Sequence, residues 1–145
     1  MIPSSTLFLS ATDTTIGFLS QDPRLLDRAK QRPPTKHYIT VYPSLTIMKR
    51  DFRLPSGMRR RVRQSRRTTF IHPGGESFRI IRDPRHCLLL ERLGWAYSSS
   101  ANLSGRSFDE AYARSVADII VEPLGAPGLP SAILKIGRKR IRRIR

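Results

Sequence analysis

Two short stretches, far apart in the chain, carry residue types that can hold a nucleotide. Lys30-Gln31-Arg32-Pro33, with Lys36 just beyond, gathers cations where a helix should end. Arg offers a bidentate fork for phosphate oxygens and Lys a point charge, so the mixture suits a polyphosphate tail and a leaving pyrophosphate. Tyr97-Ser98-Ser99-Ser100-Ala101-Asn102-Leu103-Ser104-Gly105 is a hydroxyl-rich exit from a strand. Ser98 and Ser100, two apart, point to one face, and Asn102 can donate and accept hydrogen bonds. Ligands of open α/β sheets bind at such strand ends. Taken singly, the first stretch also fits a solvated helix end and the second an ordinary turn.

Arg79 sits inside an apolar run, Phe78-Arg79-Ile80-Ile81, where it can pair with a carboxylate of the chain or grip one on a substrate. Thr12-Asp13-Thr14 and Pro130-Ser131 add hydroxyls at other strand ends. The chain lacks both the G-x-x-x-x-G-K-[ST] loop and a G-x-G-x-x-G turn. His37, His72 and His86 have no metal-ligand spacing and read as packing or solvent-facing residues. The carboxylates are scattered, so no metal site is expected and magnesium would arrive on the nucleotide's own phosphates. No serine has a neighbouring His-Asp pair that would make it a nucleophile.

These residues need elements to place them. Leu7–Leu9 reads as a strand leading into the polar turn Ser10–Thr14. Asp22-Pro23 caps and starts a helix with Leu25, Leu26 and Ala29 on one face, stopped by Pro33-Pro34. A strand follows over residues 37–42. Pro55-Ser56-Gly57 opens a helix with Met58 and Val62 one turn apart. Strands over 68–71 and 78–81 flank the Pro73-Gly74-Gly75 turn. Asp83-Pro84 starts a leucine-rich helix ended by Gly94. A strand over 95–99 and a capping box at Ser107–Glu110, with Phe108, Ala111 and Tyr112 facing inward, come next. Ile119–Val121 reads as a buried strand, and residues 132–136 and 139–144 as a closing hairpin. Interleaved strands and helices predict an α/β fold, a twisted, open, partly mixed sheet with helices packed on it.

The 145 residues fit one domain, 1–145, large enough for a packed core. Twenty-seven Lys and Arg against eleven Asp and Glu give +16, which favours phosphate-rich partners. Twelve of the 27 lie in Arg59–Arg67 and Arg138–Arg145, two stretches that could meet the phosphates of tRNA or another RNA. One cysteine, Cys87, excludes an internal disulfide and reads as an inert thiol in an apolar run. No apolar stretch approaches the roughly 18 residues of a membrane span. The start of the chain lacks the basic region of a secretory signal, so a soluble, cytoplasmic protein is expected.

Taken in order, these segments resemble the threonylcarbamoyl-AMP synthase (YrdC-like) family over nearly the whole chain. Ala11-Thr12-Asp13-Thr14 with Gly17 stands where the family has its first polar turn and glycine. Lys30-Gln31-Arg32-Pro33 with Lys36 matches its Lys-x-Arg-Pro motif and further basic position. Phe78-Arg79 before Asp83-Pro84, Ser100-Ala101-Asn102-Leu103-Ser104-Gly105, and Pro130-Ser131 complete the order. The resemblance implies a twisted open sheet with a positively charged cavity. It also implies a nucleotidyltransferase of tRNA modification that condenses L-threonine, bicarbonate and ATP into threonylcarbamoyl-AMP and pyrophosphate. A threonylcarbamoyl transferase complex then uses the product. By residue matching, Lys30, Arg32, Ser100 and Asn102 are the catalytic and ATP-binding set. Lys36, Thr69 and Arg145 are further nucleotide contacts. Thr12, Arg79, Ser98 and Ser131 line the threonine side, with Arg79 on the carboxylate.

The chain departs from the pattern at Ala11, at Ile16 and over Ser65-Arg66-Arg67-Thr68-Thr69, where a tight turn is replaced by two added charges. Its 145 residues are fewer than typical members have, so no additional C-terminal domain and a more open cavity are expected. Two alternatives remain: a non-catalytic RNA-binding module on the same fold, and a carbamoyl-adenylate-forming relative.

Overall fold

Asp-Pro pairs open two helices of the computed structural model, which describes residues 2–34, 37–126 and 128–145. Strands β1 (Phe8–Ala11) and β2 (Ile16–Ser20) form an antiparallel pair around the Thr12–Thr15 turn. Helix α1 (Pro23–Lys30) follows, Asp22 capping it through the Arg24 amide at 3.0 Å. Next come β3 (Ile39–Tyr42), the single-turn α2 (Leu45–Met48), α3 (Met58–Gln64), β4 (Thr68–Ile71) and β5 (Ser77–Ile80). Helix α4 (Pro84–Leu93), β6 (Ala96–Ser100), α5 (Glu110–Val116), β7 (Ile119–Val121), β8 (Ala132–Ile136) and β9 (Ile141–Arg143) complete the chain.

The strands form one nine-stranded mixed sheet in the order β7-β1-β2-β6-β3-β5-β4-β8-β9. The β1–β7, β3–β5 and β4–β8 pairs are parallel and the other five antiparallel. Gly17 allows β2 to lie close to β6: a Cβ there would stand 3.0 Å from the Ser99 carbonyl oxygen.

Strand alternation sends side chains into different layers. On one face α1 and α5 cover Leu9 and Phe18 with Leu26, Ala29 and Ala113. On the same face α2 and α3 cover Phe70, Phe78, Leu134 and Ile136 with Met48, Met58 and Val62. On the opposite face α4 packs Leu90 over Phe8, Leu19, Val41 and Ala96. That cluster includes no residue of β4 or β8. The uncovered part of the sheet carries Thr69 on β4 and Arg79 on β5, with Ser131 leading into β8.

Several elements differ from the sequence reading. Strand β2 is not anticipated, because all five of its residues are buried and leave no alternation to detect. Helix α2 is too short for a periodic signal. The cap of α5 is Asp109, whose Oδ1 accepts the Tyr112 amide at 3.1 Å, rather than a box at Ser107; Ala111 is exposed and Ala113 is the buried residue. Strand β7 is not buried: it is the sheet edge, with Ile119 42% exposed. Ser100 belongs to β6 rather than to the turn after it.

Candidate functional site

The end of α1 sorts its two cations by height. Leu26, Ala29 and Lys30 share the buried side of the helix. Lys30 is therefore carried inward, 4% exposed, and its ammonium donates to the Ser100 and Asn102 carbonyls, both at 2.8 Å. Burial, with the Arg32 guanidinium nearby, pushes the Lys30 ammonium down to about 8. Gln31 then takes a left-handed conformation at φ 50°, ending the helix and turning the chain so that Arg32 leaves on another side. The Arg32 guanidinium lies 4.8 Å from the Tyr38 ring centroid and donates to the His37 carbonyl at 3.4 Å. Tyr38 is held by a 2.6 Å bond to Asp27 on α1.

Arg32 lines a cavity of about 300 Å³ on the sheet face that α4 leaves uncovered. Arg79 and Arg145 line it too, with hydroxyls from Thr14, Thr15, Ser98, Ser99, Ser100 and Ser131. His37, Tyr38, Ile39 and Pro130 close its sides. The hydroxyls of Thr69 and Ser131 share a 2.8 Å hydrogen bond beneath it, and Arg145 donates through Nε to the Ser131 carbonyl at 3.0 Å.

Arg79 is buried, and its Nη1 donates to Thr14 at 2.9 Å and lies 3.3 Å from the Asp13 carboxylate. Burial lowers the Arg79 pKa, with the Asp13 charge opposing the shift. Burial likewise raises that of Asp13, against the pull of Arg79. His86 on α4 stands 3.9 Å from the same carboxylate, and burial beside Arg79 holds its pKa down at about 4, so it is neutral. Among the described residues the Nε donors of both Arg32 and Arg79 are buried without a partner. An oxyanion entering the cavity can satisfy either donor, with charge-assisted geometry.

Of the residues singled out in the sequence, Arg32, Arg79, Ser98, Ser100, Ser131 and Arg145 meet at this cavity, and Thr69 backs it through Ser131. Lys30 lies under the loop rather than on the lining. The Asn102 side chain is spent on its own loop, donating to the Leu103 and Arg106 carbonyls at 2.9 and 2.8 Å. Thr12 is turned into its own turn, bonded to the Thr15 carbonyl and the Thr14 amide. Thr14 faces the cavity instead. Lys36 lies outside the described residues. Asp13, Thr14, Tyr38 and His86 are missed by the sequence reading. The lone arginine in an apolar strand was the available signal for a buried partner such as Asp13. Among the described residues no group of three or more His, Cys, Asp and Glu side chains gathers as a metal site.

The fold is shared with solved structures. A P. abyssi Sua5 structure complexed with L-threonine superposes with a TM-score of 0.79 at 16% identity, over 97% of this chain and 50% of that one. E. coli YciO matches at 0.75 and 15% identity, over 97% and 82%. The fold is YrdC-like. The same YrdC-like architecture occurs in full-length HypF, solved in a phosphate- and nucleotide-bound form, with a TM-score of 0.73 and 16% identity over 97% of this chain and 22% of that one. No protein-family model matches the chain. In sequence it is 28% identical over 147 residues to an uncharacterized protein of Mycoplasma pneumoniae, the MG259 homolog, covering 90% of this chain. The chain spans 30% of that relative's length. No described helix is long and apolar enough to cross a membrane.

Proposed function

We propose that the cavity makes threonylcarbamoyl-AMP from L-threonine, bicarbonate and ATP for tRNA threonylcarbamoyladenosine modification. The observation that carries this reading is the convergence of three guanidinium groups, Arg32, Arg79 and Arg145, with several hydroxyls on one uncovered patch of a YrdC-like sheet. Sua5, of like fold, was solved with L-threonine, which supports a threonine subsite here.

In this proposal the threonine amine first takes up bicarbonate, losing water, to give a carbamate. A carbamate oxygen attacks the α-phosphorus of ATP, the bond to the β-phosphate oxygen breaks, and pyrophosphate leaves. The step needs two anions brought together and their charge offset, which is positioning plus electrostatics rather than covalent catalysis. Arg79 takes the threonine carboxylate through the edge that Asp13 and Thr14 leave free. Ser98 and Ser131 border that subsite. Arg32 meets the phosphates, with Arg145 and Ser100 beside them. Lys30 holds the Ser100–Asn102 carbonyls in place, so its contribution to catalysis is the shape of that loop. Lys36 is a further nucleotide contact in this proposal; Asn102 is another, and Thr12 a further threonine contact, once the side chains of Asn102 and Thr12 turn toward the ligand. Magnesium comes with the nucleotide. The adenylate passes to a threonylcarbamoyl transferase complex in the cytoplasm.

The test is incubation with L-threonine, bicarbonate and magnesium ATP, following pyrophosphate and the adenylate together. Threonine-dependent formation of both supports the reading. Adenylate formed only when carbamoyl phosphate replaces threonine and bicarbonate would move the site to the carbamoyl-adenylate chemistry. Absence of either product from folded protein supplied with its transferase partners would refute synthesis.

A further inference from the structure

Among the described residues five buried side-chain polar atoms lack a hydrogen-bond partner, and four of them belong to one cluster: Asp13 Oδ1, Arg79 Nε and both ring nitrogens of His86. Native interiors leave few such atoms, so a group of them in one place marks a site that something else completes. The cluster lies where the turn between β1 and β2, strand β5 and the first turn of α4 meet. Arg79 is its member on the cavity lining.

Helical spacing puts His86 there. His86 and Leu90, four apart, form the buried side of α4, and the imidazole has no exposed surface. Asp83, which caps the helix, accepts the His86 amide at 3.1 Å and fixes the backbone at this point. Burial and Arg79 keep the ring neutral in the free protein, with Asp83 opposing them, and the start of a helix also disfavours a cation. The charged and titratable groups around it come from each packed element. Its own helix supplies Asp83 and Cys87, whose thiol donates to the Ile81 carbonyl at 3.1 Å. The β1–β2 turn supplies Asp13 and β5 supplies Arg79. Arg67, ahead of β4, acts on Asp13, and Arg145, after β9, acts on Arg79.

Arg79 already shares its charge with Asp13, 3.3 Å away. A carboxylate arriving on the free Nε side gives one guanidinium two anions to balance in a buried site, which raises the proton affinity of the groups around it. His86, 3.9 Å from the Asp13 carboxylate, is the base placed to respond. We infer that His86 takes up a proton from solvent when a carboxylate fills Arg79, and that its Nδ1–H then holds Asp13 as an ion pair and relieves Arg79 of it. The bond formed is the N–H on the imidazole, and the ligand carboxylate stays ionised. His86 is thus a positioning residue acting through Asp13. The inference rests on the reading of Arg79 as the partner of the threonine carboxylate.

A unit charge about 6 Å away, at an effective dielectric near 20, moves a titration by about two pH units. The imidazole, held at about 4 in the free protein, should therefore titrate at about 6 with the carboxylate in place. A proton gained on binding makes affinity fall as pH rises through that interval.

The test is titration calorimetry of the full chain with L-threonine at pH 5, in buffers of different ionisation enthalpy. About 0.8 proton should enter per threonine bound, and Kd should be about tenfold weaker at pH 7 than at pH 5. His86→Asn keeps a polar nitrogen near the Nδ1 position but cannot titrate, so its uptake should fall below about 0.1 and its affinity should be flat over this range. His37→Gln, at the side of the cavity, should keep the uptake. In the wild-type protein, the 15N shifts of the His86 ring should titrate about two pH units higher in saturating L-threonine, a reading that does not depend on the variant folding. Threonine binding without proton uptake, equal uptake in His86→Asn, loss of it in His37→Gln, or an unmoved His86 titration would each overturn the inference and leave the threonine site standing. No threonine binding to folded protein at either pH would overturn both.

Discussion

Lys30→Met isolates what a buried ammonium does for the Ser100–Asn102 loop. The wild-type group makes two charge-assisted bonds at 2.8 Å, to the Ser100 and Asn102 carbonyls, and bonds of this kind contribute about 1.5–3 kcal/mol each. Against this stands the cost of holding a charge in a buried site, which the fall from 10.5 to about 8 places at roughly 3 kcal/mol. Methionine removes that cost but leaves two carbonyls without their donor. The balance is a destabilisation of about 0–3 kcal/mol at pH 7. The sign with pH is also set. Between pH 8 and 10.5 the unfolded chain binds the proton that the folded chain releases, so this group makes stability rise through that window. The neutral amine still has N–H donors for the carbonyls, whereas the methionine variant has no such limb. The gap between the two proteins should therefore widen from pH 7 to pH 10. Urea titrations at several pH values measure it, and hydrogen exchange of the Ala101 and Ser104 amides reports on the loop directly. A variant equal in stability to wild type, with a constant gap over pH and unchanged loop exchange, would refute the role given to Lys30.

Three further outcomes follow from the same geometry. His86→Leu removes a neutral, buried imidazole held at about 4; in the wild type, stability is lost as pH falls from 6.5 toward 4, by up to about 3 kcal/mol, and acid titration of the variant should lack that loss. Gly128→Ala would set a Cβ onto the Thr14 carbonyl oxygen, so the loop before Ser131 must shift; threonine KM should rise severalfold with a smaller effect on stability, measured by initial rates and thermal melting. Arg32→Ala should weaken ATP binding about tenfold or more in calorimetry while the melting temperature moves by only a few degrees, because Arg32 has no carboxylate partner among the described residues.

The elements most legible in the sequence are those with a chemical start signal. Asp22-Pro23 and Asp83-Pro84 mark α1 and α4 to the residue, and the alternation around Phe78 and Arg79 places β5 within one residue. What escapes is set by packing that neighbours in sequence do not record. Ile16-Gly17-Phe18-Leu19-Ser20 is a strand because β1 and β6 pair on either side of it, not because of its own pattern. At the site, Arg32 and Arg79 could be singled out by type, but the direction of Lys30 could not be read from type alone. Its spacing of four from Leu26 did carry that direction, placing it on the buried face of α1. Thr12 and Thr14 share a turn, and which of them faces the ligand depends on turn geometry that the tripeptide does not encode.

The arginines of β9 stand on an open border of the sheet, since among the described residues β9 pairs only with β8. At the other border β7 is likewise three residues long, but its Ile119-Ile120-Val121 carries no charge. An unpaired strand is an invitation to self-association, and positive side chains along it are one of the ways proteins discourage a second chain from zipping on. Arg142 and Arg143 thus keep molecules of this protein apart from one another. Without these charges the open edge loses its deterrent, so light scattering of R142Q/R143Q should show growth with concentration that the wild-type protein does not.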